Sequence, residues 1–159
     1  MAHGQVCGLG SGLDIYCSGE CTKAAIAVRK EVCDAVLRGE WSNECLCVIH
    51  VTISGQYLLL SSSYWQYGDD IEMDIYNLRR DVQGAVPFLV GLDANTISLA
   101  WHSKNLQAAT ERDFRGDVLS DYIVESELIV LNEESEFFAF AGPTGSSDID
   151  VTLGNAFLE

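Results

Sequence analysis

Positive charge is scarce in this chain of 159 residues: nine Lys and Arg stand against 24 Asp and Glu, for a formal net charge of −15. General affinity for nucleic acid comes mainly from Lys and Arg neutralising phosphates, so broad electrostatic binding of that kind is excluded. A nucleic-acid partner would need a local basic patch, bridging metal ions or a neighbouring domain. Long apolar runs are lacking too. None approaches the roughly 20 residues that cross a bilayer as a helix, so no membrane partner is expected. The opening stretch MAHGQVCGLGSG has neither the charged start nor the apolar stretch of a secretion signal. An intracellular protein is expected, and without an export signal the six cysteines read as reduced thiols rather than disulfides. C-x-x-C knuckles are missing as well. Cys45, Cys47 and His50 have no second ligand pair, and the alternation of Cys45 and Cys47 with Leu46 and Val48 fits one face of a buried strand. No internal repeat, low-complexity tract or linker breaks the chain, which leaves one domain over 1–159 with a flexible, Gly-rich start at 1–12.

What is present is apolar and regularly spaced. Hydrophobic residues make up 48% of the sequence, enough for one sizeable core. Leu13–Cys17 and Ala24–Arg29 read as strands. Leu46–Ile53 and Tyr57–Ser63 flank Ser54-Gly55-Gln56 and predict an antiparallel hairpin, because Gly permits the positive φ of a tight turn. An aromatic cluster follows at Tyr64-Trp65-Gln66-Tyr67. Ile71, Ile75, Leu78 and Val82 recur at helical spacing, with Asp69 and Asp70 at the positive N-terminal end and Gly84 as the stop. A second helix is predicted over Asp113–Glu125, from Val118, Leu119, Tyr122 and Ile123. Further strands are predicted at Leu128–Leu131 and Phe137–Phe140, and a turn at Gly142-Pro143-Thr144-Gly145. Strict alternation through Ser147–Leu153 places Asp148, Asp150 and Thr152 on one face. Strands and helices mixed in this way make an α/β layered domain.

The stretch Pro87–Lys104, PFLVGLDANTISLAWHSK, carries the chemistry. An apolar strand delivers Asp93 and Asn95 where it gives out, and ligands of open α/β sheets sit beyond the carboxyl ends of strands. Two residues apart in extended chain puts both side chains on one face. A carboxylate can hold a metal or take a proton, and a carboxamide can donate to a phosphate oxygen without repelling it. A bare D-x-N is equally an Asx turn closing a strand.

Several stretches together resemble the endonuclease domain of non-LTR retrotransposons, a branch of the endonuclease/exonuclease/phosphatase superfamily related to DNase I. They are AAIAVR at Ala24–Arg29, SSSYWQYGDDIE at Ser61–Glu72, VGLDANTISLAWHSK at Val90–Lys104 and the run from Arg115 to Leu153 that ends GSSDIDVTL. The resemblance implies a DNase I-like α/β sandwich of two mainly antiparallel sheets with flanking helices. It implies a Mg²⁺-dependent phosphodiesterase that nicks DNA, with a reverse transcriptase domain in the same polyprotein and a nuclear place of action, and it argues against a lipid or inositol phosphatase. Position by position, Asp93 and Asn95 match the pair that contacts the scissile phosphate and orients the attacking water. Asp150 matches the acid of the S-x-I-D motif that orients a catalytic histidine. Tyr64 matches a phosphate-touching tyrosine, and Ser147 the motif's serine beside the site. The family's early strands, with an asparagine and a metal-binding glutamate, find no match before Ala24. Its closing Ser-Asp-His triplet finds none before Glu159. No metal ligand is therefore assigned, and His102 in W-H-S-K reads as structural. The domain is expected to be incomplete, with a non-catalytic remnant acting as a binding module as the alternative.

Overall fold

Residues 12–82, 86–103, 112–134, 138, 140–142 and 145–158 are described in the computed structural model. In chain order they form β1 (Leu13–Cys17), β2 (Ala25–Arg29), β3 (Asp34–Leu37), β4 (Leu46–Ile53), β5 (Gln56–Tyr64), α1 (Ile71–Val82), β6 (Phe88–Asp93), α2 (Arg112–Glu125), β7 (Ile129–Val130), β8 (Phe140–Gly142), β9 (Gly145–Ser147) and β10 (Asp150–Gly154). Short 3₁₀ turns occupy Leu99–Trp101 and Ala156–Leu158. Six strands make the main sheet in the order β3-β4-β5-β6-β10-β7, while β1-β2 and β8-β9 are separate two-stranded pairs. Among these pairings only β5–β6 is parallel. A parallel connection needs a crossover, and α1 supplies it. The layered α/β sandwich expected from the sequence is the architecture found.

Strand β4 is apolar almost throughout because both of its faces are covered. Leu46 and Val48 join a core with Trp65, Ile71, Ile75 and Leu78 beneath α1, and with Leu119 and Tyr122 of α2. Cys47, Ile49 and Val51 face the other way, against Ala24, Ile26 and Tyr16 of the β1-β2 hairpin. Cys47 donates through Sγ to the Tyr16 carbonyl at 3.2 Å. Burial pushes its thiol up to about 11, so it is inert at neutral pH. All the described cysteines are free thiols, as expected. The β4–β5 turn is two residues long, with Ile53 opposite Gln56, and both turn residues are left-handed (Ser54 φ 51°, Gly55 φ 82°). That twist matches the twist of the flanking strands. At the head of α1, Asp70 Oδ1 accepts from the Glu72 N–H at 3.0 Å and caps the first turn.

The structure departs from the sequence pattern in three places. Strand β3 is a short edge strand with no alternation long enough to announce it. The helix stretches and the Leu128–Leu131 strand shift by a residue or two at their ends, and the strand expected at Phe137–Phe140 is displaced to Phe140–Gly142, with Phe138 in no strand. The run Ser147–Leu153 is not one strand: β9 ends at Ser147, which pairs with Phe140, while β10 begins at Asp150, which pairs with Asp93 in the main sheet. The chain changes partners between them, so Asp148 does not share the Asp150 and Thr152 face by alternation. The start at 1–11, Gly84, the loop after Ser103, Phe137 and the Pro143-Thr144 turn lie outside the described residues. Among the described residues no helix is long and apolar enough to cross a membrane.

The hairpin packs on β4 and β5 alone among the main-sheet strands it meets most closely. On the same face beyond it, Gly91 is exposed, and Ile129 and Leu131 are 40% and 43% exposed. Uncovered apolar sheet face favours association. The chain is expected to self-associate with rising concentration, and Leu131→Lys to weaken that association. Sedimentation velocity across a concentration series checks this, and a sharp monomer at all concentrations would contradict it.

Candidate active site

The register of the main sheet sets the site. Tyr64, ending β5, is the Cα partner of Asp93, ending β6, and Asp93 is the partner of Asp150, opening β10. Partners on neighbouring strands project to the same face, so the three side chains form one row across three strands. The face is that of the hairpin, since Leu60 packs there. Ser62, Gly91 and Thr152 make the next row. Nothing lies within 4 Å of where a Gly91 Cβ would be, which leaves an open, shallow floor beside the carboxylates.

Carboxylates directly opposite each other resist ionising together. Burial pushes the Asp93 carboxyl up, partly offset by the Asn95 backbone N–H that it accepts. Asp150 is raised by the protein packed around it, then by Asp93 and by Asp148. Asp93 Oδ1 is buried with no hydrogen-bond partner among the described residues. A buried carboxylate oxygen without a donor, opposite a second carboxylate, is costly to keep charged.

Asn95 reaches this place by another route than alternation. Strand β6 ends at Asp93, and Asn95 is left-handed (φ 48°), a conformation Asn tolerates. D-A-N is thus an Asx turn, and the extended-chain argument for a shared face does not hold. The Asn95 Nδ2 donates to the Trp65 carbonyl at 2.9 Å, which ties the ends of β6 and β5 together. The backbone of Ser147 stands at the end of β9, and its side chain lies outside the described residues.

A loop of small polar residues holds the row in register. The Ala94 N–H donates to the Ile149 carbonyl at 3.0 Å. Ser103, 3% exposed, donates to the Asp148 carbonyl at 2.7 Å and accepts from the Ser98 N–H at 3.1 Å. The Ser98 and Ser120 hydroxyls are 2.9 Å apart, and Ser120 also donates to the Gly116 carbonyl at 2.7 Å, anchoring the loop on α2. Gly116 is required there because any Cβ would strike the Ile97 carbonyl oxygen. Trp101 is 1% exposed in the core, and His102 (φ 62°) closes the 3₁₀ turn through its N–H to the Leu99 carbonyl. Ser103 is the positioning residue that sequence reasoning passed over. A serine's identity does not say which carbonyl it will hold. His50 lies against Tyr57 instead, ring centroids 5.5 Å apart. Among the described residues no three or more His, Cys, Asp or Glu are grouped so as to hold a metal ion.

No family model matches the sequence. The solved endonuclease domain of TRAS1, a telomere-specific non-LTR retrotransposon, superposes with a TM-score of 0.75 at 25% identity, covering 92% of this chain and 68% of that one. The chain resembles that endonuclease domain in fold and proteins of type-1 retrotransposable elements in sequence. The Pol polyprotein of the type-1 retrotransposable element R1 from Bradysia coprophila is 46% identical over 74 residues, 45% of this chain and 7% of that protein. A putative 115 kDa protein of element R1DM from Drosophila melanogaster is 32% identical over 105 residues, 62% of this chain and 10% of that protein. The chain thus spans a tenth or less of the curated relatives it matches. The D. rerio TDP2 structure, solved with a single-strand DNA product, shares the fold alone, with a TM-score of 0.53 at 12% identity over 91% of this chain and 62% of that one.

Two measurements test this geometry. The raised carboxyls of Asp93 and Asp150 bind protons more tightly folded than unfolded, so their contribution to stability is present below about pH 4 and lost as pH rises through their folded values. Asp93→Asn is therefore expected to melt higher than the parent at pH 7, in the absence of divalent cations, with the gap closing toward pH 3. Ser103→Ala strands the buried Ser98 N–H and Asp148 carbonyl and is expected to cost about 1–3 kcal/mol in urea denaturation.

Proposed function

We propose that this retrotransposon endonuclease domain is a metal-dependent phosphodiesterase that nicks DNA, leaving an end from which a reverse transcriptase in the same polyprotein can prime. The observation that carries the reading is the opposition of Asp93 and Asp150 in one row with Tyr64, with an Asp93 oxygen buried without a hydrogen-bond partner among the described residues and an open floor at Gly91 in the next row. A hard divalent cation suits this donor set, because Mg²⁺ takes one or two protein carboxylates and keeps several waters. Asp93 and Asp150 would hold it. Bound there, the ion supplies charge neutralisation for a phosphodiester under attack by water.

The remaining roles belong to the chain's own groups. Tyr64 presents its hydroxyl to a phosphate oxygen from the end of β5. Asn95 keeps one amide proton on the Trp65 carbonyl and offers the other to the phosphate, a donor fixed before substrate arrives. Asp150 holds a proton acceptor opposite Asp93, and Ser147 stands beside the motif. DNA is the substrate, so the domain acts in the nucleus.

A second reading is favoured by one observation: among the described residues the charges that act on Asp150 are Asp93 and Asp148, with no histidine beside them. On that reading the domain keeps the fold as a binding module without turnover. Supercoiled plasmid separates the two, using the chain alone and a version extended by a glutamate-bearing strand and a strand ending Ser-Asp-His. Magnesium-dependent nicking that falls by on the order of 10²-fold or more in Asp93→Asn is the expected result for the enzyme. Plasmid retardation without nicking in either version points to the module, and neither cutting nor binding removes both.

A further inference from the structure

Six basic side chains are described: Lys23, Arg29, Lys30, Arg38, Arg79 and Arg115. Four of them are already paired. Lys30 meets Asp14 at 3.1 Å, Arg38 meets Glu40 at 2.9 Å, Arg79 meets Glu125 at 3.4 Å and Arg115 meets Asp74 at 3.7 Å. Arg29 is at the far end of β2, opposite Leu13. Lys23 alone among them stands at the site. Its Nζ lies 5.6 Å from the centre of the Tyr64 ring, beside the row that Tyr64 shares with Asp93 and Asp150. No carboxylate among the described residues neutralises it. Its partner is the neutral Gln66, whose Oε1 accepts from Nζ at 2.8 Å. The backbone below is fixed, since the Lys23 N–H donates to the Glu44 carbonyl at 2.6 Å and Ala24 is buried under the hairpin. The ammonium itself is exposed.

We infer that Lys23 is a phosphate-binding residue for duplex DNA, gripping a backbone phosphate beside the phosphodiester that faces Asp93 and Asp150. The inference rests on the nuclease reading. In a chain of net charge −15 a phosphate backbone meets repulsion over most of the surface. A cation on an aromatic platform, steadied by an amide instead of a carboxylate, keeps its full charge for an outside anion. Its strength lies in position. Lys23 projects from the hairpin layer while the carboxylates belong to the main sheet, so a strand of DNA would be held from two layers at once.

The test is titration of the whole chain with a fluorescent DNA duplex by anisotropy across a series of salt concentrations, with amide NMR shifts followed in parallel. Each phosphate neutralised in B-DNA contributes about 0.9 to the slope of log affinity against log salt. Lys23→Gln is expected to weaken binding, lower that slope by about one phosphate's worth and leave the melting temperature unchanged, while Lys23→Arg restores the slope. Shifts at Tyr64 and Asp93 on adding DNA, with the slope unmoved in Lys23→Gln, would overturn the inference and leave the nuclease reading standing. Absence of DNA-dependent shifts at Tyr64 and Asp93 would remove the inference together with that reading.

Discussion

Two carboxylates facing each other from adjacent strands are a liability in a sheet, and this one carries them at the junction of β6 and β10. Neighbouring strands lie about 4.8 Å apart, close enough for Asp93 and Asp150 to oppose each other's charge. The Asn95 backbone N–H relieves only part of the conflict. Asp93 Oδ1 is enclosed without a donor, although a protein selected only for stability would place an amide or an apolar residue there. The arrangement makes sense where stability is given up locally for a ligand that restores it, as strained or unsatisfied groups commonly are at functional positions.

Holding such a pair in register falls to the loop after β6, and its composition follows from the task. Backbone amides and hydroxyls are short and leave little rotamer freedom to lose, so Ala94, Ser98 and Ser103 can clamp Ile149 and Asp148 from below with little entropic cost. Gly116 lets α2 approach closely enough for Ser120 to take part. Trp101 then fills the core behind the loop. The site is thus backed by the core on one side and open on the other, where Gly91 leaves the floor bare.

Acidity over the whole molecule and the nucleic-acid substrate proposed for it are compatible because the two act over different distances. At physiological salt the Debye length is about 8 Å, so an approaching phosphate feels the groups of the site far more than remote Asp and Glu. On the proposed reading, the local balance of the Lys23 ammonium and a carboxylate pair holding a cation decides the encounter. The surplus negative charge elsewhere limits non-specific adhesion.

Much of the layout could be read before any coordinates. Alternation and turn chemistry marked the β4–β5 hairpin, helical spacing marked α1 and α2, and the end of an apolar strand marked Asp93, because these signals are local and depend on a few neighbouring residues. The clusters around Asp93 and Asp150 were legible as motifs. What tertiary structure alone decided was register and partnership. Whether Ser147–Leu153 is one strand or two depends on which strands lie alongside, Phe140 for one half and Asp93 for the other. Asn95 leaves the extended face because β6 stops at Asp93 and Trp65 offers a carbonyl. Ser103 and Lys23 owe their significance to groups tens of residues away, Asp148 for the one and Tyr64 for the other. A side chain's chemistry is written in its identity, but the group that it meets is set by how distant strands align.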